Sequence, residues 1–181
     1  MPKRCKICSE PFEAKLSTFQ KTCNNVECLV TFGKKESVRL KQKAFRAEKK
    51  AYKQRDRGYW LKRVQTEFNK YIRNRDSQDP CISCKRYHTG QYHAGHYMSV
   101  GGHSAALRFD EENCHKQCSV CNNYRSGNLS QYRTNLIDKI GLSAVERLEG
   151  PHDPKKYTID ELQKLLVKYQ AHNKEWAKSQ S

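Results

Sequence analysis

The segment from Cys81 to Asn122, CISCKRYHTGQYHAGHYMSVGGHSAALRFDEENCHKQCSVCN, carries two C-x2-C knuckles, Cys81/Cys84 and Cys118/Cys121, separated by 33 residues. A two-residue spacer lets both sulfurs of a knuckle face one point, and four thiolates satisfy a tetrahedral zinc ion. A redox C-x-x-C is the competing reading, and it lacks the βαβ pattern that would surround it. Between the knuckles, residues 91–98 read as a strand, 99–103 as a loop and Leu107-Arg108-Phe109 as a returning strand. Asp110 to Asn113 then turns the chain, and Val120 to Arg125 opens a helix. One zinc would staple strand, loop, strand and helix together, which gives an α+β class.

Upstream, Cys5, Cys8, Cys23 and Cys28 form a second quartet, C-x2-C followed by C-x4-C, expected to hold another structural zinc. Nine cysteines cannot all pair within one chain, and Met1-Pro2-Lys3-Arg4 leads into Cys5 with no apolar signal core. The chain therefore reads as cytosolic, with metal rather than disulfides as the use for its thiols. Cys114, the ninth, reads as a packed free thiol.

The 181 residues hold 35 Lys+Arg against 19 Asp+Glu, a net charge of +16 that points to a polyanion partner. A mean hydropathy of -1.00 and the lack of any long apolar run exclude a membrane span. Residues 29–75 contain 16 Lys/Arg and four Asp/Glu, so most of the charge excess lies between the two cysteine modules. Val38, Phe45, Tyr52 and Tyr59 recur every seven residues there, marking a thin stripe on a long solvated helix with a break expected at Gly58. Such a helix can track a phosphate backbone or serve only as a linker. Trp60, Leu61, Val64, Phe68, Tyr71 and Ile72 make a better amphipathic face that can dock on a core. Beyond Ser126-Gly127-Asn128, Leu129 to Ile140 reads as a helix ending at Gly141. Ser143 is expected to cap a short one, Gly150-Pro151 to break it, and Thr158-Ile159-Asp160-Glu161 to open the last as a capping box. The resulting division is 1–32 (zinc module), 33–77 (basic helical segment), 78–128 (stapled core) and 129–181 (helical region).

His96, Asn113 and Asn122 sit on either side of the second zinc. Phosphodiester hydrolysis needs a base for water, a cation for developing charge and a group that orients the base, and histidine near its ordinary pKa suits the first task. By themselves these residues only suggest that chemistry, since a lone His in a strand is more often structural and an Asn near a turn more often serves turn hydrogen bonds.

The pattern Cys81-x2-Cys84, Gly95-His96, Gly101-Gly102, Asn113 and Cys118-x2-Cys121-Asn122 resembles the HNH, or ββα-metal, nuclease motif. More narrowly, nearly the whole chain resembles the phage lambda NinG (Rap) family of recombination endonucleases. The residues concerned are Cys5-Lys6-Ile7-Cys8, Phe68-Asn69-x-Tyr71-Ile72-Arg73-x-Arg75-Asp76, Cys81-Ile82-Ser83-Cys84, Ala94-Gly95-His96-Tyr97, Leu107-Arg108-Phe109-Asp110, Asn113-x-His115-x-Gln117-Cys118, Cys121-Asn122 and Gly127-Asn128. The resemblance implies an HNH-like core flanked by long helices. It also implies an endonuclease of the infected host cytoplasm that cuts Holliday junctions and D-loops, leaving a 5′-phosphate and a 3′-hydroxyl. On this reading His96 is the general base, Asn113 orients its ring, and Asn122 holds catalytic Mg2+ or Mn2+, as in the phage resolvase endonuclease VII. The acidic ligand that many such nucleases place directly before the base is Gly95 here. His93 is the nearest substitute, but in a regular strand it faces away from His96; His103, Asp110 and His115 stand in reserve.

Lys49, Lys50, Lys53, Arg55, Arg57, Arg73, Arg75 and Arg125 are the candidate DNA contacts. A homodimer would suit symmetric cutting of a four-way junction. Two other readings stay open. One is a non-catalytic zinc-stapled binder of branched or single-stranded nucleic acid, using Tyr87, Tyr92 and Tyr97. The other is a sequence-specific HNH nuclease.

Overall fold

A computed structural model describes residues 2–15 and 17–180, and the side chains of these except at 102–104. The chain forms two compact units, residues 1–55 and 56–181, dividing within the basic stretch. Among the described residues no helix is long and apolar enough to cross a membrane.

In the first unit a two-residue antiparallel ladder joins β1 (Lys3–Arg4) to β2 (Pro11–Phe12), and α1 runs from Val26 to Gln54. Asn25 caps α1: its side-chain oxygen accepts from the Glu27 and Cys28 amides, satisfying donors that the first turn leaves open. The helix thus starts earlier than the apolar stripe indicates, and Cys28 lies in its first turn. Val38, Phe45 and Tyr52 are exposed along α1, as expected of a solvated helix. The break falls at Arg55–Asp56, not at Gly58. Asp56 caps α2 (Arg57–Arg75) through the Gly58 and Tyr59 amides, and a carboxylate at this end is stabilised by the helix dipole.

The second unit is built around a hairpin of β3 (Tyr92–His96) and β4 (Cys114–Cys118), paired antiparallel from Tyr92↔Cys118 to His96↔Cys114. The returning strand is therefore Cys114–Cys118. Leu107-Arg108-Phe109, expected to be that strand, ends a 3-10 segment, Gly102–Phe109. Leu107 and Phe109 are buried in two different clusters, which a helical segment between two cores allows. After β4 come a π-helical turn, Val120–Tyr124, then α3 (Leu129–Ile140), α4 (Leu142–Glu149) and α5 (Ile159–Ser179). Gly141, at φ +88°, makes the corner between α3 and α4, and Ser143 lies inside α4 rather than capping it. The capping box at Thr158 and Glu161 forms as the sequence indicates.

Two cores hold this unit together. Val64, Phe68 and Ile72 of α2 pack with Leu162, Leu166 and Tyr169 of α5, with Phe109, Tyr157 and Cys114 completing the cluster. Ile82, Tyr97, Leu107, Tyr132, Leu136, Val145 and Leu148 form the second. Full burial of each such aliphatic or phenyl side chain is worth about 1.5–3 kcal/mol. The Cys114 thiol is wholly buried in the first core, and desolvation pushes its pKa up, so it is a packing group.

Candidate functional site

The four sulfurs of each quartet lie within 4.8 Å of one another. Cys8 Sγ and Cys23 Sγ are 3.8 Å apart, the edge expected of a tetrahedron with Zn–S bonds of about 2.3 Å. Backbone amides inside the knuckles also point at sulfur: Ile7 N–H donates to Cys5 Sγ at 3.4 Å, Cys118 N–H to Cys81 Sγ at 3.3 Å and Cys121 N–H to Cys118 Sγ at 3.5 Å. Burial opposes ionisation of Cys81, yet amides of Cys118, Cys84 and Ser83 outweigh it and hold the thiol below its usual pKa. The donor set fits two zinc ions. The second quartet ties the turn before β3 to the end of β4 and to the π-helical turn, setting their spacing.

His96 closes β3, and its Nε2–H donates to the Arg108 carbonyl oxygen at 3.0 Å. A carbonyl only accepts, so this bond assigns the proton to Nε2 and leaves Nδ1 as the basic nitrogen. The ring is stacked against Phe68 at 6.1 Å between centroids. Burial pulls its pKa below the ordinary histidine value, against the Arg108 carbonyl, which raises it, and with the Arg108 charge, which lowers it; the balance favours the neutral imidazole. Asn113 does not make the ring-orienting bond expected of it. It is fully buried, accepts from Met98 N–H at 2.8 Å and donates to the Met98 and Leu107 carbonyls, so it pins the chain leaving β3 while Arg108 orients the imidazole.

β3 pairs continuously with no bulge, so His93 shares a face with Gly95 and with its cross-strand partner Gln117, and faces away from His96. On that face His93 Nε2 and Gln117 Oε1 are buried without a hydrogen-bond partner. Both are exceptions to the rule that buried polar atoms are satisfied. A Cβ at Gly95 would collide with Gln117 Oε1 and would stand 3.1 Å from Asn122 Oδ1. The place of a side chain at position 95 is therefore a socket filled by the Gln117 amide oxygen and bordered by that of Asn122. Gln117 Nε2 donates to Ser83 Oγ at 2.6 Å and to the Gly127 carbonyl at 2.5 Å, which fixes which end of the amide is oxygen. Asn122 Nδ2 donates to Asn123 Oδ1 at 2.7 Å, turning its own oxygen toward the socket. Gly127 sits in a turn where Ser126, Gly127 and Asn128 all have positive φ, an arrangement that aims its carbonyl at Gln117. Gln117 and Arg108 stand in family-like motifs, but nothing in their spacing marks a role; both emerge only when β4 and the 3-10 segment are in place.

The remaining candidates are placed as follows. Arg75 leaves the set of DNA contacts, because its guanidinium is engaged within the fold by Asp76, the Glu111 and Cys114 carbonyls and His115 Nδ1. His115, the cross-strand partner of Gly95, is buried with Nδ1 on Arg75 and Nε2 on the Glu112 carbonyl, and Asp110 accepts from the Glu112 and Asn113 amides and pairs with Arg147, so both reserve ligands are engaged elsewhere. The side chain of His103 lies outside the described residues. Lys49, Lys50, Lys53, Arg55, Arg57 and Arg125 are exposed, and Arg73 is half-buried. Of the three aromatics expected to stack on bases, Tyr87 is exposed. Tyr97 is buried with its hydroxyl on Glu149, and the half-buried Tyr92 hydroxyl accepts from His88 N–H.

The family model described as "Bacteriophage Lambda NinG protein" matches residues 1–179. Proteins named ninG from Escherichia phage 933W, Salmonella phage P22 and Escherichia phage lambda are 44%, 43% and 43% identical over 125 residues, 69% of this chain. Those matches cover 62%, 61% and 61% of the relatives' own lengths, so the chain spans under two thirds of the curated relatives it matches. No solved structure matches. With a family model that covers all but the last two residues and includes both cysteine quartets, the chain belongs to the phage lambda NinG family.

Proposed function

We propose that this protein is an HNH-type, metal-dependent endodeoxyribonuclease that cuts branched recombination intermediates such as Holliday junctions and D-loops. The observation that carries the reading is the state of His96: neutral, its Nε2–H tied to the Arg108 carbonyl, its Nδ1 left basic, and its position one residue after an amide-lined socket in a cysteine-stapled hairpin. His96 Nδ1 would take the proton from the attacking water. Asn122 and His93 would hold Mg2+ or Mn2+; the orphaned His93 Nε2 and the Asn122 oxygen on the Gly95 socket fit that task. Bound there, the cation supplies charge stabilisation at the scissile phosphate and the leaving 3′-oxygen.

The test is cleavage of a labelled four-way junction and a matched linear duplex with Mg2+ or Mn2+. His96→Ala is expected to lower the junction cleavage rate by about 10²–10⁴-fold while binding persists. Undiminished cleavage in that variant would reject the base, and metal-independent binding without cutting by the wild type would identify a binding protein instead. The pH dependence follows from the direction of the His96 shift. Protonation silences the base, so the rate should rise through a pKa below 6.5 and level off by neutral pH. A wild-type rate still climbing between pH 7 and 8 through a His96-dependent step would contradict this.

Sequence-independent grip on a junction needs phosphate contacts, which exposed Lys and Arg provide. Lys49→Ala with Lys50→Ala should weaken junction binding and reduce the slope of log K against log[salt] by about 1–2, about 0.9 per lost phosphate contact. An unchanged slope would remove this end of α1 from the DNA interface.

A further inference from the structure

We infer that Gln117 is a ligand of the divalent cation, and that its amide oxygen, with that of Asn122, takes the place of the carboxylate that position 95 lacks; the inference rests on the nuclease reading above. Gln117 is fully buried on β4, and its Oε1 has no protein partner. A buried, unpaired acceptor is costly, and a bound cation or an ordered water removes that penalty. The oxygen cannot exchange places with its own nitrogen, because Nε2 donates to both Ser83 Oγ and the Gly127 carbonyl, and a flip would set oxygen against oxygen. It occupies the volume that a side chain at residue 95 would need. Glycine at 95 is thus paired with glutamine at 117 by contact: an acid projecting from β3 and an amide projecting from β4 are alternative ways to fill one place. Asn122 Oδ1 borders the same point, and His93, directly opposite Gln117, contributes the second orphaned buried atom.

The seat so formed contains no carboxylate. Among the described residues, the groups of His, Cys, Asp or Glu able to hold an ion are the two cysteine quartets, so no carboxylate cluster competes with it. Amide oxygens suit hard cations such as Mg2+ and Mn2+, but without a carboxylate much of the compensating charge must come from the substrate phosphate. Cation binding should therefore be weak for the protein alone and at least about tenfold tighter with uncleaved junction bound.

The experiment uses the full-length, zinc-loaded protein and Mn2+ as probe. In the wild type, Mn2+ should selectively broaden the side-chain NH2 resonances of Gln117 and Asn122. Free Mn2+, quantified by electron paramagnetic resonance, should show Gly95→Ala and Gln117→Leu binding at least about tenfold more weakly, with zinc content retained. Gln117→Leu leaves the Ser83 Oγ bond to the Gly127 carbonyl in place, whereas Gly95→Ala must displace the pinned Gln117 amide oxygen, so retained zinc is the control that the hairpin still folds. Should either variant lose zinc, the wild-type resonances decide alone. Wild-type affinity in Gln117→Leu, or unbroadened Gln117 and Asn122 resonances at saturating Mn2+, overturns the assignment and leaves a bridging water as the partner of Oε1. Failure here is separable from failure of the nuclease reading: a wild type that cuts junctions while Gln117→Leu keeps its Mn2+ affinity rejects only the ligand. A wild type that binds Mn2+ at Gln117 but never cuts DNA rejects only the nuclease.

Discussion

Cys118→Ser, or chelation of the zinc-loaded protein, should unfold the hairpin and its following turn while leaving the helical core partly formed. Cys118 ends β4, Cys121 lies in the π-helical turn, and Cys81 and Cys84 flank the turn before β3, so one ion joins three segments with little other apolar contact. Without metal, burial, helped by its cysteine neighbours, raises the Cys121 thiol to about 12, so this buried sulfur stays protonated and loses its strong partner. Structural zinc contributes about 10–16 kcal/mol in small peptides, against a total stability of about 5–15 kcal/mol for a domain. Hydrogen exchange should therefore become fast in residues 114–124 and slowest in α2 and α5, whose contacts with each other do not involve the quartet. Because ligation requires thiolates, acid should release the ion and reproduce the effect. Identical exchange and melting with and without metal would show that the quartet is not a staple.

Asp76→Ala should lower the stability of the second unit by about 3–5 kcal/mol, or on the order of 10–20 °C in melting temperature. Asp76 follows α2 and is almost completely buried. Its carboxylate receives Arg75 Nε at 2.7 Å and Nη2 at 2.9 Å, Lys116 N–H at 2.9 Å and Lys139 Nζ at 3.4 Å, with His115 Nδ1 at 3.5 Å. One side chain thus joins the end of α2 to β4 and α3. Alanine leaves the Lys116 amide unpaired and Arg75 without its counter-charge. The amide oxygen in Asp76→Asn would keep an acceptor for Lys116, so that variant should lose less. Burial works against the charge, but the adjacent His115 ring, the Arg75 hydrogen bonds and charge and the Lys116 amide outweigh it and hold the carboxyl far below the usual carboxylate range. A depressed folded-state pKa confers stability that is present above the unfolded value near 3.9 and is lost as pH falls below it. Asp76→Asn should therefore flatten the acid limb of the stability profile below about pH 4. A mutant and wild type that lose stability in parallel there would show that the carboxylate is not the linked group.

Each quartet, the amphipathic face of α2, the capping box of α5 and the corner at Gly141 are legible in the chain, because their signals are local: sulfur spacing, helical period, a cap and a glycine. Local signals misplace the rest where tertiary contacts compete. Leu107-Arg108-Phe109 alternates like a strand, but its two apolar residues serve two cores. Gly58 attracts the helix break on composition, whereas the stronger device is Asp56, whose carboxylate caps two amides.

By itself the sequence determined the class of the protein: a basic α+β chain with two cysteine quartets, a histidine between the knuckles of the second, and membership of the phage lambda NinG family. Only the tertiary structure decided what the polar residues around that histidine touch. Register sets Gln117 beside His93 and over Gly95, the 3-10 segment delivers the carbonyl that orients His96, and Arg75 and Asp76 turn inward. The reason is physical. Metal-ligand spacing and helix period act over a few residues, whereas a hydrogen bond or a filled socket depends on which distant segments packing brings within about 3 Å.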